Sequence, residues 1–226
     1  MFSAVNNDST QRLIEAKELI NICNDSNLKL SDHYNDRILM GSVYVLLYGA
    51  LEYTITHCVF RAIELLNSFF IKNDSLKLYD VLPTLWGLIY NSDCDRIETA
   101  GTNKKWENRN KLFKHFTKSE IIQQIGDNLF PSSNGNIKET QIRRIWDTFG
   151  LKSPMFEPGL ESVKSDLLTL ANGRMAIAHG REKSSKIGGA TSITDLNNLY
   201  DSISRYCSYL ISCFVKYIIE KEYLQT

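Results

Sequence analysis

Residues 31–70 carry the longest helical pattern in the chain, SDHYNDRILMGSVYVLLYGALEYTITHCVFRAIELLNSFF. Apolar residues recur along it every three or four positions from Ile38 to Phe70, which is the spacing of one face of an α-helix. Polar residues are so sparse between Ile38 and Leu51 that this part of the helix is expected to be buried on several sides. The pattern therefore predicts the central helix of a helical bundle.

Four other stretches show helical period, and none shows the strict alternation of a β-strand. Gly150 and Gly180 stand where glycines that end helices are expected, and Ser192 begins a Ser-Ile-Thr-Asp capping box. We predict an all-α fold, a bundle of four main helices with a partly helical insert at roughly residues 72–158, in a single domain spanning residues 1–226. The four further helical stretches are residues 8–23, 137–149, 160–179 and 192–218.

Three stretches outside these helices are expected to be less regular. Residues 91–110 are polar and loop-like. Residues 118–125 can add a turn or two of helix. Residues 181–192, REKSSKIGGATS, are predicted to form a mobile loop because Gly, Ser and Lys dominate their composition.

The composition excludes several classes of protein. The 26 Lys and Arg residues balance the 26 Asp and Glu residues, so bulk charge gives no argument for a histone-like role. Glu52 and His57 interrupt the longest apolar run, which begins at Ile38, and leave it shorter than the roughly 18 residues of a membrane helix. The five cysteines form no C-x-x-C pair, and the N-terminus lacks the pattern of a signal peptide. We therefore expect a cytoplasmic protein without membrane contact.

The most informative segment for chemistry is LLTLANGRMAIAHG, residues 167–180. At 100° per residue, Arg174 falls inside the apolar stripe of this helix. A guanidinium is always charged, so at that position it must be paired, face a subunit interface or bind an anion. His179 lies at the edge of the stripe, next to Gly180. Taken alone, each residue also has a structural interpretation, an arginine that reaches solvent and a histidine that ends a helix.

Arg174 and His179, with four residues between them, make the Arg-x4-His arrangement of the HEPN ribonucleases. The segment RMAIAHG, residues 174–180, is similar to the RNxIAHG signature of that superfamily, which lies on the third helix of its four-helix bundle. LLYGALEY, residues 46–53, and GNIKETQIRRIWDTFGL, residues 135–151, are similar to segments of a prokaryotic branch of HEPN-like nucleases. The chain thus resembles a HEPN superfamily ribonuclease over most of its length.

The resemblance implies an endoribonuclease that cleaves RNA without a metal, through attack of the ribose 2′-OH. That reaction needs a group that transfers protons, which suits His179, and positive charge for the phosphorane, which suits Arg174. One helix presents the two side chains about 140° apart, so we expect a homodimer with the motif helices side by side and a shared cleft. No metal and no cofactor are indicated. The resemblance also implies a prokaryotic toxin or anti-phage defence effector, with an antitoxin or defence-system protein as a further partner.

Two positions depart from the pattern of the family. The residue after the arginine is commonly Asn in the family and is Met175 here. Asn172, two residues before Arg174, is the amide side chain that can substitute for it. Arg181 stands where antitoxin-regulated members carry a tyrosine, so regulation by modification of that tyrosine is not expected. Met175 favours an alternative, a non-catalytic HEPN-like helical module that binds RNA or a partner protein. The third interpretation is a purely structural helical subunit in which Arg174 forms a buried ion pair.

Glu52 is the third candidate catalytic residue. It lies in the largely apolar stretch YGALEYTI, where an unpaired carboxylate is costly. Pairing with Arg174 would orient the guanidinium, as the resemblance suggests. The alternative is a carboxylate at the edge of the core that pairs with Arg61 or a lysine. His57 is expected to be a packing or surface residue.

Residues 103–116, NKKWENRNKLFKHF, are both basic and aromatic. Cations that contact phosphates and rings that stack on bases are what proteins use to bind single-stranded RNA. The alternative is an insert whose Trp106 and Phe113 pack into the core and whose charges face solvent. We predict RNA contacts from four cations, Lys104, Lys105, Arg109 and, beside the motif, Arg181.

Overall fold

The computed structural model describes residues 1–24, 33–117, 122, 124–126, 130, 137–160 and 162–225. These residues form helices and turns, with one isolated antiparallel β-bridge between Val81 and Leu224. The all-α fold predicted from the sequence is confirmed. In chain order the α-helices of the described residues are α1 (Ser3–Asn24), α2 (His33–Lys72), α3 (Trp86–Ile89), α4 (Asn91–Thr99), α5 (Thr102–Thr117), α6 (Glu139–Phe149), α7 (Val163–Ala178), α8 (Ser184–Gly189) and α9 (Ile193–Ile219).

Helix α2 is the centre of the bundle. It has 40 residues and is therefore about 60 Å long. Helices α1, α7, α8 and α9 all pack against it. Its apolar residues Leu47, Ile55 and Leu66, which lie several turns apart, are almost completely buried. The predicted central helix is thus confirmed.

Helix α2 is also long and apolar enough to cross a membrane, by length and composition alone. The segment Tyr34–Lys72 reaches a mean hydropathy of 1.5 in its most apolar window. Half of that window is buried inside the protein, as in the core helix of a bundle. The sequence criterion of an uninterrupted apolar run missed this segment because Glu52 and His57 divide it. The absence of membrane contact stays a prediction.

Two sequence signals at helix ends are confirmed. Gly150 follows α6 with φ of 64°, and its N–H donates to the carbonyl of Trp146 at 2.8 Å. Left-handed backbone of this kind favours glycine because glycine has no Cβ. At the start of α9, the Ser192 hydroxyl accepts from the N–H of Asp195, and the Asp195 carboxylate accepts from the N–H of Ser192. This is the capping box that the sequence indicates.

The prediction of a mobile loop at residues 181–192 is wrong for its central part. Residues Ser184–Gly189 form helix α8, which packs against α2. A Cβ placed on Gly188 would collide with the carbonyl of Arg37, and the Ser184 hydroxyl donates to the carbonyl of Ile38 at 2.8 Å. Glycine and serine therefore occur here because the two helix backbones touch.

Gly41 of α2 takes part in the same close contact, and this gives a test of the packing. A Cβ on Gly41 would collide with the carbonyl oxygen of Ser184, whereas a Cβ on Gly49, two turns further along α2, has nothing within 4 Å. Gly41→Ala is expected to lower the free energy of unfolding by about 1–3 kcal/mol because α8 must move. Gly49→Ala should instead raise it by about 0.5–1 kcal/mol, since alanine is the better helix former. Urea unfolding of both variants measures the difference, and equal effects would contradict the α2–α8 contact.

The loop predicted at residues 91–110 is also wrong. Helix α4 covers Asn91–Thr99, and α5 begins at Thr102. Helices α4 and α5 pack against each other as a pair. The predicted addition at residues 118–125 lies mostly outside the described residues.

The described residues between α5 and α6 contact α2 at three places. The Asn67 side-chain amide donates to the carbonyl of Ile125 at 2.8 Å and accepts from the Ile125 N–H at the same distance. The ring of Phe130 lies edge-on to Phe60, with centroids 6.3 Å apart. The N–H of Ile137 then donates to the Tyr48 hydroxyl. These anchors follow α2 backwards towards its N-terminal half, where α7 packs.

Candidate functional site

Gly173 allows a close contact between α7 and α2. A Cβ on Gly173 would fall within 3.1 Å of the Tyr44 ring, so the small residue lets the ring pack directly on the α7 backbone. Tyr44 is buried, and its hydroxyl lies 3.1 Å from the hydroxyl oxygen of Thr191. The contact between Gly173 and the Tyr44 ring determines which part of α2 lies within reach of Arg174, the next residue.

Arg174 lies over the ring of Tyr48, one helical turn beyond Tyr44 on α2. The guanidinium carbon is 4.9 Å from the ring centroid, which is a cation–π contact. Tyr48 is only 1% exposed, and its hydroxyl accepts a hydrogen bond from the N–H of Ile137. Arg174 itself is half-buried. The ring is therefore a fixed support, and it holds a permanently charged group at the edge of the core.

Tyr48 is a residue of the candidate site that sequence reasoning missed. Burial raises its pKa to about 12, the Ile137 N–H and the charge of Arg174 act to lower it, and the charge of Glu52 acts to raise it. The phenol consequently stays neutral around neutral pH and cannot serve as a general base there. Its ring is the surface on which the Arg174 guanidinium lies. The sequence places Tyr48 in the segment LLYGALEY, which resembles a segment of the family. A tyrosine in an apolar run is most simply interpreted as a core residue, so Tyr48 was not singled out.

Glu52 lies one turn beyond Tyr48 on α2 and is half-buried. Among the ion pairs between described residues, none joins Glu52 to Arg174; both charges act on Tyr48 between them. The alternative pairing with Arg61 is not formed either, because Arg61 binds Glu64 of the same helix at 2.5 Å. The structure thus places Glu52 near the support of Arg174 and not on the guanidinium.

His179 is exposed at the end of α7, directly after Ala178. The next residue, Gly180, has φ of 65°, and its N–H donates to the carbonyl of Ile177 at 3.0 Å. The N–H of Arg181 donates to the carbonyl of Ala176 at 2.9 Å, so the helix ends in a Schellman motif. The stop predicted at Gly180 is confirmed. This turn holds His179 and the exposed Arg181 at one end of the helix.

Within one protomer, Arg174 and His179 do not converge. Five residues along a helix correspond to a rise of about 7.5 Å and a rotation of about 140°. Arg174 contacts Tyr48 on the α2 side, and His179 is exposed. Helix geometry thus directs the two side chains of one chain towards different sides of α7.

The outward face of α7 carries His179 together with apolar surface. Leu168, Asn172, Met175 and His179 fall within about 60° of one another around the helix. Leu168 is 56% exposed, Asn172 is exposed and Met175 is half-buried. A groove of about 510 Å³ lies beside Leu168, between α7 and the start of α6.

The cations predicted to bind RNA lie in two places. Lys104, Lys105 and Arg109 are on α5, where Lys104 and Arg109 are exposed and Lys105 is half-buried. Arg181 is beside His179. The interpretation in which Trp106 and Phe113 pack into the core is wrong, because these two rings are 64% and 60% exposed.

No group of three or more His, Cys, Asp and Glu side chains is arranged to hold a metal ion among the residues that the structure describes. The described cysteines are all free thiols. Burial raises the pKa of Cys207, deep in the core, to about 12. A thiol with this pKa stays protonated and is a poor nucleophile at neutral pH.

Comparison with known proteins identifies the family. No significant match was found among curated proteins or among solved structures. A family model described as RiboL-PSP-HEPN matches residues 7–218, nearly the whole chain. The match spans α1 to α9 and includes the described helices of the bundle. It confirms the resemblance to the HEPN superfamily that the sequence indicates, and the chain therefore belongs to the RiboL-PSP-HEPN family.

Proposed function

We propose that this protein is a metal-independent endoribonuclease that acts as a homodimer. The observation that carries the proposal is the placement of Arg174, a permanent cation held by a buried neutral ring at the edge of the core. His179, a group suited to proton transfer, is exposed at the end of the same helix. Membership of the family and the Arg-x4-His spacing support a role in RNA cleavage.

The proposed reaction transfers one proton between two oxygens of the RNA. His179 takes the proton from the ribose 2′-OH, and the 2′-oxygen forms a bond to phosphorus. The bond between phosphorus and the 5′-oxygen then breaks, and the imidazolium returns the proton to that oxygen. The products are a 2′,3′-cyclic phosphate and a 5′-OH. Arg174 neutralises the charge on the phosphorane oxygens.

Stacking on Tyr48 suits Arg174 for this work. Contact with the ring fixes the plane of the guanidinium, and its fork of N–H donors lies in that plane. Such a fork matches two oxygens of one phosphate. Because the support is in place before RNA arrives, little conformational entropy is lost on binding.

The second protomer supplies what one chain lacks. Arg174 and His179 diverge on α7, so we propose that Arg174 of one chain acts with His179 of the other. The outward face of α7, with the exposed Leu168, is the apolar surface that a symmetric contact would bury. We further propose a cytoplasmic setting, as a toxin or anti-phage effector with a neutralising partner protein.

One observation favours a second function. Met175 stands where the family commonly has a polar residue, and it is half-buried on the outward face of α7. A methionine there suits a contact surface better than a catalytic one. The alternative is therefore a non-catalytic helical module that binds RNA or a partner protein.

The end groups of the RNA products test the proposed chemistry. In EDTA, the purified protein is expected to cut single-stranded RNA and to leave 2′,3′-cyclic phosphate and 5′-OH ends, because the reaction uses the 2′-OH of the substrate. An RNA with 2′-O-methyl groups serves as the control and should remain uncut. Cleavage that requires Mg²⁺, or products with 3′-OH ends, would instead support a different chemistry.

A further inference from the structure

Helix α5 exposes two large aromatic rings on one face. Trp106 and Phe113 are seven residues apart, which places them about 20° apart around the helix and about 10.5 Å apart along it. They are 64% and 60% exposed, among the most exposed large apolar residues of the described chain. Single exposed apolar residues are common, but two aligned rings on one helix indicate a binding surface.

The same helix concentrates positive charge in a neutral protein. Its sequence, TNKKWENRNKLFKHFT, has five Lys and Arg residues against one carboxylate, a net charge of +4. The Arg109 guanidinium lies over the Trp106 ring, 5.1 Å from its centroid. None of the ion pairs between described residues involves Lys104, Lys105 or Arg109.

The neighbouring helix α4 does not neutralise this charge through a described contact. Asp93 of α4 pairs with Arg96 of the same helix at 3.4 Å. Asp95 of α4 accepts from the Asn91 side chain, also within the helix, at 3.0 Å. Asp93 and Asp95 are therefore engaged within α4, and no ion pair between described residues joins α4 to Lys104, Lys105 or Arg109.

A partly buried aromatic cluster supports the ring of Phe113. Phe113 packs edge-on against Phe116, with centroids 6.1 Å apart. Phe116 in turn packs against Trp86 at 5.1 Å and Tyr90 at 5.5 Å. The Tyr79 hydroxyl donates to the backbone carbonyl of Phe116. The last turn of α5 is thus anchored on α3 and on Tyr79, and this anchor lies directly beneath Phe113.

We propose that Trp106, Arg109 and Phe113, with Lys105 at their edge, form a platform that binds single-stranded RNA. Bases stack on the two rings, and Arg109 and Lys105 contact the phosphates. The polymer is taken to be RNA because the inference rests on the proposed function. Duplex RNA is excluded because its bases are already stacked inside the helix. Lys104 lies about 160° from Trp106 around α5, so it points away from the platform.

The test measures binding without cleavage. A short, labelled 2′-O-methyl oligouridine cannot be cut through its 2′-oxygen, so the intact wild-type protein can be titrated by fluorescence anisotropy. Exchanging both rings, Trp106→Ala with Phe113→Ala, is expected to weaken binding by about 25-fold or more, since each stacked base contributes about fivefold or more. Trp106→Phe keeps a ring and should retain most of the affinity. A 2′-O-methyl duplex should bind more weakly and should not respond to these changes.

Charge variants on the same helix supply matched controls. Arg109→Glu is expected to flatten the dependence of log affinity on log salt by about 0.7 for one lost phosphate contact, whereas Lys104→Glu should leave this slope unchanged. Ile219→Ala removes an equally exposed apolar residue on α9 and should bind as the wild type does. Two results for the double ring variant would overturn the proposal. One is RNA binding equal to that of the wild type. The other is normal RNA binding together with a loss of the oligomeric state. Because the probe is uncleavable, the result stands whether or not the wild type cuts RNA.

Discussion

Replacing Arg174 by alanine is expected to lower the rate of RNA cleavage by about 100-fold or more. The Arg174 guanidinium lies over the Tyr48 ring, and loss of a single group that stabilises developing oxyanion charge typically costs a factor of about 10²–10³. The loss should appear in kcat, because the charge on the phosphorane exceeds that on the bound substrate. Single-turnover cleavage of a labelled RNA measures it.

The controls separate the charge of Arg174 from its support. Arg174→Lys keeps the charge and loses the planar fork, so an intermediate rate is expected. Tyr48→Phe keeps the ring and should stay close to wild type, whereas Tyr48→Leu should lower kcat towards the rate of Arg174→Ala. Arg12→Ala is the matched control, because it removes an arginine that lies over another tyrosine of α2, Tyr53, 4.3 Å from the ring centroid. If it lowered kcat as strongly as Arg174→Ala, the assignment of roles would have to be abandoned.

Mixing two inactive variants is expected to restore activity. Chains with Arg174→Ala and chains with His179→Ala each lack one member of every pair. If Arg174 of one protomer works with His179 of the other, a mixed dimer contains one intact pair. Random exchange of equal amounts makes about half of the dimers mixed, so about a quarter of the wild-type activity should return. Cleavage after exchange at micromolar concentration gives the value.

The competing arrangements give different results in the same mixture. If Arg174 and His179 of the same chain act together, every chain in the mixture lacks one of the two residues. No activity then returns. The double variant with both substitutions, mixed with wild type, is the control, since its mixed dimers contain no intact cross-chain pair. A wild-type protein that is active yet monomeric by sedimentation at the same concentration would rule out the shared site.

The helices that the sequence predicted well are those whose apolar period faces the core. Between Ile38 and Phe70 the helical period continues, and most of the apolar residues that follow it are buried in α2. Gly150, Gly180 and Ser192 marked helix ends because the left-handed backbone and the capping box are local properties. Arg174 was identified from the same helical period, because it is a charged residue inside the apolar stripe of α7.

The parts that sequence reasoning missed depend on contacts between distant segments. Helix α8 has a loop-like composition because Gly188 must touch the backbone of α2, and that partner cannot be read from residues 181–192. Helix α5 was missed because its Trp106 and Phe113 face solvent, so its apolar period does not mark a core face. The role of Tyr48 depends on where α7 crosses α2, which Gly173 determines through its contact with Tyr44.

Cleavage of RNA by wild-type protein and by His179→Ala, at equal concentration in EDTA, tests the central claim most directly. His179 is exposed at the end of α7, so the substitution is expected to leave the fold intact, and matching thermal unfolding curves verify this. Wild type should cut the RNA without added metal, and His179→Ala should be slower by about 10²–10⁴-fold, the usual contribution of a proton-transfer group. Equal rates for the two proteins, or a wild type that cuts only after Mg²⁺ is restored, would contradict the assignment of His179 and the metal-independent mechanism.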